Sequence, residues 1–196
     1  MPEILIVCHS VHGNTLAMAR EVARGVDSFD GASARLRSVA PITSAIDPVA
    51  NEPPADGPAL VSAEDLAECD GLILGSPTRF GNMAAAVKYF LDGTAGEWFS
   101  GTLAGKPAAV FTSTGSLHGG QESTLLSMML PLMHHGMLIV GLPYSEPALS
   151  TTQSGGTPYG ASHLAGKDSD RALDREETDL CRALGRRVAD VASRLA

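Results

Sequence analysis

The sequence is poor in cysteine, in positive charge and in long apolar runs, and each shortage excludes a class of protein. Its three cysteines, Cys8, Cys69 and Cys181, are far apart and form no CxxC pair, which argues against a disulfide framework or a zinc site. Lys and Arg number 14 against 22 Asp and Glu, so the formal net charge is −8, which argues against nucleic-acid or anionic-membrane partners. No apolar run approaches the length of a membrane span and no basic leader precedes the first strand, so we expect a cytoplasmic protein.

Apolar runs alternate with helical patterns along the whole chain. The length of 196 residues suits one well-buried domain, and we expect a single domain over residues 1–196. Helical spacing predicts helices near residues 16–26, 63–68, 84–91 and 123–133, and a last helix that opens with a capping box at Asp174 and Glu177. Residues 41–58 show neither the helical nor the strand period and are interpreted as an excursion or lid loop. The predicted strands cover residues 4–7, 34–39, 71–76, 108–113 and 138–140. Five strands alternating with helices predict an α/β fold with a doubly wound parallel sheet.

The turns after the first, third and fourth strands have unusual content. The first, SVHGNT, joins a strand to a helix through small and hydroxyl-bearing residues and contains no Lys or Arg. The free amides and dipole of a helix N-terminus favour an anion, so this turn suits a phosphate held by N–H and hydroxyl groups, or it is simply a capped connection. PTRFGN and TGSLHGGQE follow the other two strands. Because ligands of such sheets bind beyond the carboxyl ends of the strands, we expect the three turns to converge on one crevice.

Other nucleotide-binding folds fit the sequence less well. The first turn contains no GxGxxG, which argues against a dinucleotide-binding Rossmann domain. Residues 101–106 come closest to a P-loop but have the wrong spacing. A receiver domain needs an acidic cluster at the end of the first strand, where this chain has Cys8, His9 and Ser10. His9 and His12 lack a third ligand for a metal site.

Five segments in order resemble one family, the flavodoxin-like NAD(P)H:quinone oxidoreductases of the tryptophan-repressor-binding-protein (WrbA) type. They are SVHGNT, SPTRFGNM, STGSLHGGQE, HHGM and GGTPYGAS, the last in a predicted loop at residues 155–162. The resemblance implies a flavodoxin-like sheet of strand order 2-1-3-4-5, a homotetramer, and NADH or NADPH and quinones as substrates. It also implies FMN as cofactor, carried by Ser10, Val11, His12, Gly13, Asn14, Thr15, Pro77, Thr78, Arg79, Phe80, Gly81, Asn82, Ser113, Thr114, Gly115, Ser116, Leu117, His118, Gly119 and His134.

The resemblance also implies a role for each segment. The first turn would hold the FMN phosphate, residues 78–80 would border the isoalloxazine, and residues 113–119 would wrap its pyrimidine side. His134 would approach the flavin, and Trp98 would shelter the ring and the substrate. His12 stands where the family usually has Tyr, and we expect it to contact the substrate and, when protonated, to favour the phosphates of the nicotinamide nucleotide. FMN would supply the chemistry, because the sequence shows no catalytic triad and no paired carboxylates.

Alternatives remain open at this point. A one-electron flavodoxin would use the same fold and cofactor, and the family's name suggests a non-catalytic partner of a repressor. Arg79 could be a solvated loop charge and Trp98 a core residue. His134 and His135 end a predicted helix, where positive charge favours the dipole.

Overall fold

A parallel sheet forms the centre of the molecule, in a computed structural model that describes residues 1–42, 53 and 57–195. The predicted excursion at residues 41–58 therefore lies mostly outside the described residues. The strands are β1 Glu3–Cys8, β2 Ser33–Ser38, β3 Gly71–Arg79, β4 Asn82–Met83, β5 Pro107–Thr114, β6 Leu138–Ile139 and β7 Ala161–Leu164. The strands of the sheet are in the order β2-β1-β3-β5-β6, which confirms the expected flavodoxin-like order.

Helices cover both faces of this sheet, and those that the sequence predicts are confirmed. The capping box at the start of the last helix is present: Asp174 N donates to Glu177 Oε2 at 3.1 Å, and Glu177 N donates to Asp174 Oδ1 at 2.9 Å. In the part of the chain that the structure describes, no helix has the length and apolarity to cross a membrane. The helices are α1 Asn14–Asp27, α2 Ala63–Glu68, α3 Ala85–Asp92, α4 Ala95–Ser100, α5 Gln121–His134, α6 Ala148–Thr151 and α7 Arg175–Leu195.

The last position in the sheet is shared by two short strands. Residues 138–139 of β6 pair with the first half of β5, and residues 161–164 of β7 pair with its second half, from Phe111 to Thr114. The prediction of a loop over residues 155–162 was therefore wrong for Ala161 and Ser162. A four-residue strand is too short to show a period, which is why the pattern missed it. Its consequence is that the chain after Leu164 emerges at the carboxyl edge of the sheet, beside β5.

The apolar core lies in two layers because consecutive strand residues point to opposite faces of the sheet. On one side, Ile4, Ile6 and Phe111 pack with the buried stripes of α1 and α7. On the other side, Leu5 and Val7 pack with residues of α2, α3 and α5. Strands buried on both faces explain the continuous apolar runs of the sequence.

Candidate active site

The turn between β1 and α1 is shaped to hold an anion. Gly13 caps α1 with a φ of 86°, a left-handed conformation that glycine adopts without strain. Ser10 Oγ accepts a hydrogen bond from Leu16 N at 3.3 Å, which folds the turn over the helix end. Within the described residues, the amides of Asn14 and Thr15 have no hydrogen-bond acceptor. These free N–H groups and the positive end of the helix dipole favour a negatively charged ligand.

A cavity of about 230 Å³ opens at this turn and joins all three turns that the sequence singled out. Its walls come from the carboxyl ends of β1, β3, β5 and β7, as expected for a parallel sheet. The lining residues are Ser10, Val11, His12, Asn14, Thr15, Pro77, Thr78, Arg79, Ser113, Thr114, Gly115, Ala165 and Ser169. The structure thus brings eleven of the predicted site residues around one cavity, since only the last two were not predicted.

A β-hairpin that the sequence did not predict carries the PTRFGN turn. β3 continues to Arg79 and pairs antiparallel with β4, with Thr78 opposite Met83 and Arg79 opposite Asn82. Phe80 and Gly81 form the tip, both with positive φ, and the Phe80 side chain is fully exposed. Thr78 Oγ1 lies 2.8 Å from Thr124 Oγ1, which fixes the hairpin against α5. The tip therefore holds Phe80 away from the cavity, in solvent.

The turn after β5 contributes only its first part to the cavity. Ser113, Thr114 and Gly115 line it, whereas Ser116, Leu117, His118 and Gly119 form the turn beyond, where the Leu117 side chain is exposed. Thr114 Oγ1 donates to the Ser116 carbonyl oxygen at 3.0 Å, and Gly119 N donates to the same oxygen at 3.0 Å. These bonds close the turn into a compact unit at the rim.

Trp98 and His134 lie together but in a different cavity, of about 340 Å³. Trp98 Nε1 donates to the His134 carbonyl oxygen at 3.0 Å, and the two ring centroids are 5.4 Å apart. This cavity shares no lining residue with the one at the first turn. A third cavity, of about 940 Å³, connects them, because it shares Ser10, Val11 and Arg79 with the first and Lys88, Leu130 and Pro131 with the second. The three cavities therefore adjoin one another from the first turn to Trp98 and His134, and together we call them the groove.

The groove is weakly positive although the whole chain is acidic. Arg79, Lys88 and His9 line its central part. Burial and the neighbouring Arg79 guanidinium lower the pKa of His9, so its neutral form is favoured. Burial raises the pKa of the Cys8 thiol to about 12, so this cysteine is inert at the end of β1. Lys88 Nζ is paired with the Asp92 carboxylate, so the positive charge available to a ligand belongs to Arg79.

Sequence reasoning missed Ala165 and Ser169, which close the cavity on the β7 side. Ala165 N donates to the Thr114 carbonyl oxygen at 2.7 Å, so the chain leaving β7 follows β5 to the cavity. Asn14 Nδ2 donates to the Ser169 carbonyl oxygen at 2.9 Å. The only available signal was the run of small and polar residues after residue 164, AGKDSD, which becomes informative once β7 is known to be a strand.

Comparison with known proteins agrees with this geometry. The family described as NADPH-dependent FMN reductase matches residues 2–146. A protein of Trichlorobacter lovleyi named NAD(P)H dehydrogenase (quinone) is 45% identical over 100% of this chain and 99% of its own length. A protein of Solidesulfovibrio magneticus with the same name is 42% identical over 98% of each chain.

Solved structures show the same architecture over the full length. The flavodoxin-like, WrbA-like protein from Agrobacterium tumefaciens superposes with a TM-score of 0.70 at 25% identity, covering 100% of both chains. The resemblance to the WrbA type that the sequence indicates is thus confirmed. The chain belongs to the NADPH-dependent FMN reductase family, and within it to the flavodoxin-like group that contains the proteins named NAD(P)H dehydrogenase (quinone).

Proposed function

We propose that this chain is an FMN-dependent NAD(P)H:quinone oxidoreductase, which transfers two electrons from NADH or NADPH to a quinone and releases NAD(P)⁺ and a hydroquinone. The observation that carries this proposal is the cavity at the carboxyl edge of the sheet, where the three predicted turns meet around a turn with free amides. Its relatives over the full length bear the name of this activity. Its three cysteines are buried free thiols, in keeping with the reducing cytoplasm as its location.

The donor set of the first turn fits the phosphate of FMN. Asn14 and Thr15 offer unpaired amides, and Ser10 and Thr15 add hydroxyl groups. No Lys or Arg belongs to residues 10–15, so the phosphate charge would be met by N–H groups and the helix dipole. A single such cradle suits a mononucleotide, because the pyrophosphate of a dinucleotide needs a glycine fingerprint that the turn lacks.

The same cavity leads from the phosphate seat to the places proposed for the flavin ring. Bound FMN supplies the chemistry, since it can accept two electrons from a nicotinamide and deliver both to a quinone. Thr78 and Arg79 would border the ring, and the turn that begins at Ser113 would bound its pyrimidine side. Fixed dipoles of this turn would stabilise negative charge on that side of the ring without having to reorganise.

We further propose that the two substrates occupy the same part of the groove in turn. Arg79 lines the cavity of about 940 Å³ and would attract the phosphates of NADH or NADPH. Both substrates would have to reach the same face of FMN, so the nucleotide would leave before the quinone enters, which is a ping-pong sequence. Initial rates at several fixed quinone concentrations should give parallel double-reciprocal lines. Lines that converge would show that both substrates are bound together.

We propose a homotetramer as the active form, as the resemblance implies. The side of the molecule that carries Trp98 exposes large apolar side chains, which in water favours association with a second copy. They include Phe80, Tyr89, Phe99, Leu126, Leu130 and Met133. Trp98 and His134 close one end of the groove, and a neighbouring copy would cover its outer wall. Turnover per flavin should therefore fall as the protein is diluted to monomers, and full turnover by a species that sediments as a monomer would contradict this assembly.

The cofactor seat is tested by substituting its two hydroxyl residues, Ser10→Ala and Thr15→Val. Each hydroxyl is proposed to bind the phosphate, so affinity for FMN should fall by about tenfold or more, while affinity for riboflavin, which has no phosphate, should change little. Flavin fluorescence titration measures both. Ser193→Ala, on the exposed surface of α7, is the control. Equal losses for the two flavins would remove the phosphate from this turn.

A further inference from the structure

A fully buried histidine lies next to the cavity, and no part of the proposed reaction uses it. His163 belongs to β7 and its side chain is 0% exposed. Its Nδ1 lies 2.8 Å from Glu177 Oε2, and its Nε2 lies 3.0 Å from the Arg171 carbonyl oxygen. Glu177 lies in the first turn of α7, and Arg171 ends the loop of residues 165–171 that follows β7. The ring therefore bridges the last helix and this loop.

Both partners of the His163 ring are hydrogen-bond acceptors, which determines its protonation. A neutral imidazole has one N–H donor and one bare nitrogen, so it can satisfy only one of two acceptors. A peptide carbonyl can never donate, so the Arg171 oxygen needs an N–H on Nε2. The Glu177 oxygen could donate only if this side chain carried the proton itself.

Glu177 is held in its ionised form by its surroundings. Its Oε1 accepts hydrogen bonds from Gly155 N, Leu164 N and Arg171 Nη1, each at 3.0 Å, and its Oε2 accepts one from Asp174 N. Burial raises the pKa of Glu177, but the hydrogen bonds from His163 and from these amides outweigh burial and lower it to about 2. The proton between the two side chains therefore resides on the imidazole.

The charges around the ring balance only when the ring is positive. Two carboxylates, Glu177 and Asp174, face a single guanidinium, that of Arg171, which donates to both. Cys181, one turn further along α7, is a thiol whose pKa burial raises, so it adds no charge. On the other side β5 pairs Ser113 with His163 and brings no titratable group. A charged His163 completes two ion pairs in a buried site, where an unpaired carboxylate would be costly.

The loop that this network fixes is also a wall of the phosphate seat. Ala165 and Ser169 line the cavity, and the Ser169 carbonyl oxygen holds the side chain of Asn14 in the first turn. Arg171 N donates to the Ala165 carbonyl oxygen at 3.1 Å, so a displacement of Arg171 moves both ends of the loop. We propose that His163 is a positioning residue: as an imidazolium it ties the 165–171 loop to α7 and thereby fixes the phosphate end of the FMN cavity. Only the identity of the ligand, FMN, rests on the proposed function.

The first test measures the protonation of the ring directly. In flavin-free protein with ¹⁵N-labelled histidine, the ring nitrogen shifts of His163 are recorded at the pH of the flavin titrations. His163 should show two protonated nitrogens, because both ring nitrogens face acceptors. One protonated and one bare nitrogen in His163 would overturn the proposal, whether or not the protein binds flavin.

The second test measures the effect on the cavity. His163→Gln keeps one donor but removes the charge, so the loop loses its tie through His163 and keeps only that through Arg171, and FMN affinity should fall by about tenfold. Affinity for riboflavin should change by less than about twofold, because the loop borders the phosphate end only. Asp170→Asn, an exposed substitution in the same loop, is the matched control. Equal weakening of both flavins, or unchanged FMN affinity in folded His163→Gln, would refute the positioning role; absence of flavin binding by the wild type would refute the proposed function instead.

Discussion

The two faces of the sheet differ in how completely the chain covers itself. On the α1 and α7 side, the helices pack so closely that a Cβ added at Gly25 would lie 2.0 Å from the Arg182 carbonyl oxygen, and one at Gly185 would lie 2.1 Å from the Val22 carbonyl oxygen. On the α3, α4 and α5 side, large apolar side chains remain in solvent, among them Tyr89, Phe99, Leu126, Leu130 and Met133. The chain itself covers the α1 and α7 side, whereas apolar side chains on the α3, α4 and α5 side remain exposed. We call these the closed side and the open side.

The two sides contribute opposite ends of the groove. The closed side forms the proposed phosphate seat, because α1 supplies the free amides and α7 anchors the loop that carries Ser169. The open side carries Trp98 and His134 at the far end of the groove. Substitutions on the closed side should therefore lower the free energy of unfolding of the subunit, whereas those on the open side should weaken the association of subunits.

The largest effect is expected for Glu177→Gln at the start of α7. Removing this carboxylate leaves Arg171 and His163 without their buried partner, and we expect the free energy of unfolding to fall by about 3 kcal/mol near neutral pH. The pKa of Glu177 is lowered from 4.5 to about 2, so its contribution is complete above about pH 4.5 and is lost as the pH falls through about 2.

Urea denaturation of wild type and Glu177→Gln at a series of pH values measures this contribution. The difference between them should shrink towards zero as the pH falls from about 4.5 to about 2. The neighbouring Glu176→Gln, which keeps Glu177 intact, should show no such trend. A difference that stays constant across this range would contradict the ion pairs.

A slightly smaller loss is expected for Gly185→Ala, which tests the close approach of α1 and α7. The added methyl group overlaps the Val22 carbonyl oxygen, so the helices must separate and the free energy of unfolding should fall by about 2 kcal/mol. Thermal and urea unfolding measure it. Gly96→Ala, in α4 on the open side, meets nothing within 4 Å and should be neutral or stabilising. Equal stabilities for the two variants would remove the distinction between the sides.

The smallest effect on the subunit is expected for Leu126→Glu on the exposed face of α5. This side chain is 46% exposed, so the free energy of unfolding of the subunit should change by less than about 0.5 kcal/mol. A charge buried at an interface without a partner is costly, however, so the variant should dissociate. Sedimentation velocity measures the assembly, with Ser193→Glu on α7 as control. A variant that sediments as the wild type does would show that this face is not a subunit interface.

The sequence predicted the parts of the fold that leave a long periodic or continuous apolar pattern. The central strands, the long helices and the capping box at Asp174 and Glu177 belong to this class. The β3 and β4 hairpin and the short β7 are set by pairing with distant strands, and a few residues cannot show a period. Ala165 and Ser169 were missed for the same reason, since their position at the cavity depends on β7.

Residue chemistry predicted that the three turns meet, but not that Trp98 and His134 lie in a separate cavity. The turns at Ser10, Thr78 and Ser113 meet as predicted because parallel strands share one carboxyl edge. Trp98 and His134 are separated from the first cavity by the way the helices pack, and a sequence motif does not predict helix packing. The charge of His163 likewise follows from two acceptors that are 8 and 14 residues away in the chain.

Anaerobic stopped-flow spectroscopy tests the central claim most directly. Protein loaded with FMN is mixed with excess NADH or NADPH, and the visible absorbance of the flavin is followed. The remaining nucleotide is removed anaerobically, and benzoquinone is then added to the reduced protein. The account predicts bleaching that is at least as fast as steady-state turnover, followed by full recovery with one hydroquinone formed per flavin. Bleaching slower than turnover, or recovery without hydroquinone, would contradict an NAD(P)H:quinone oxidoreductase.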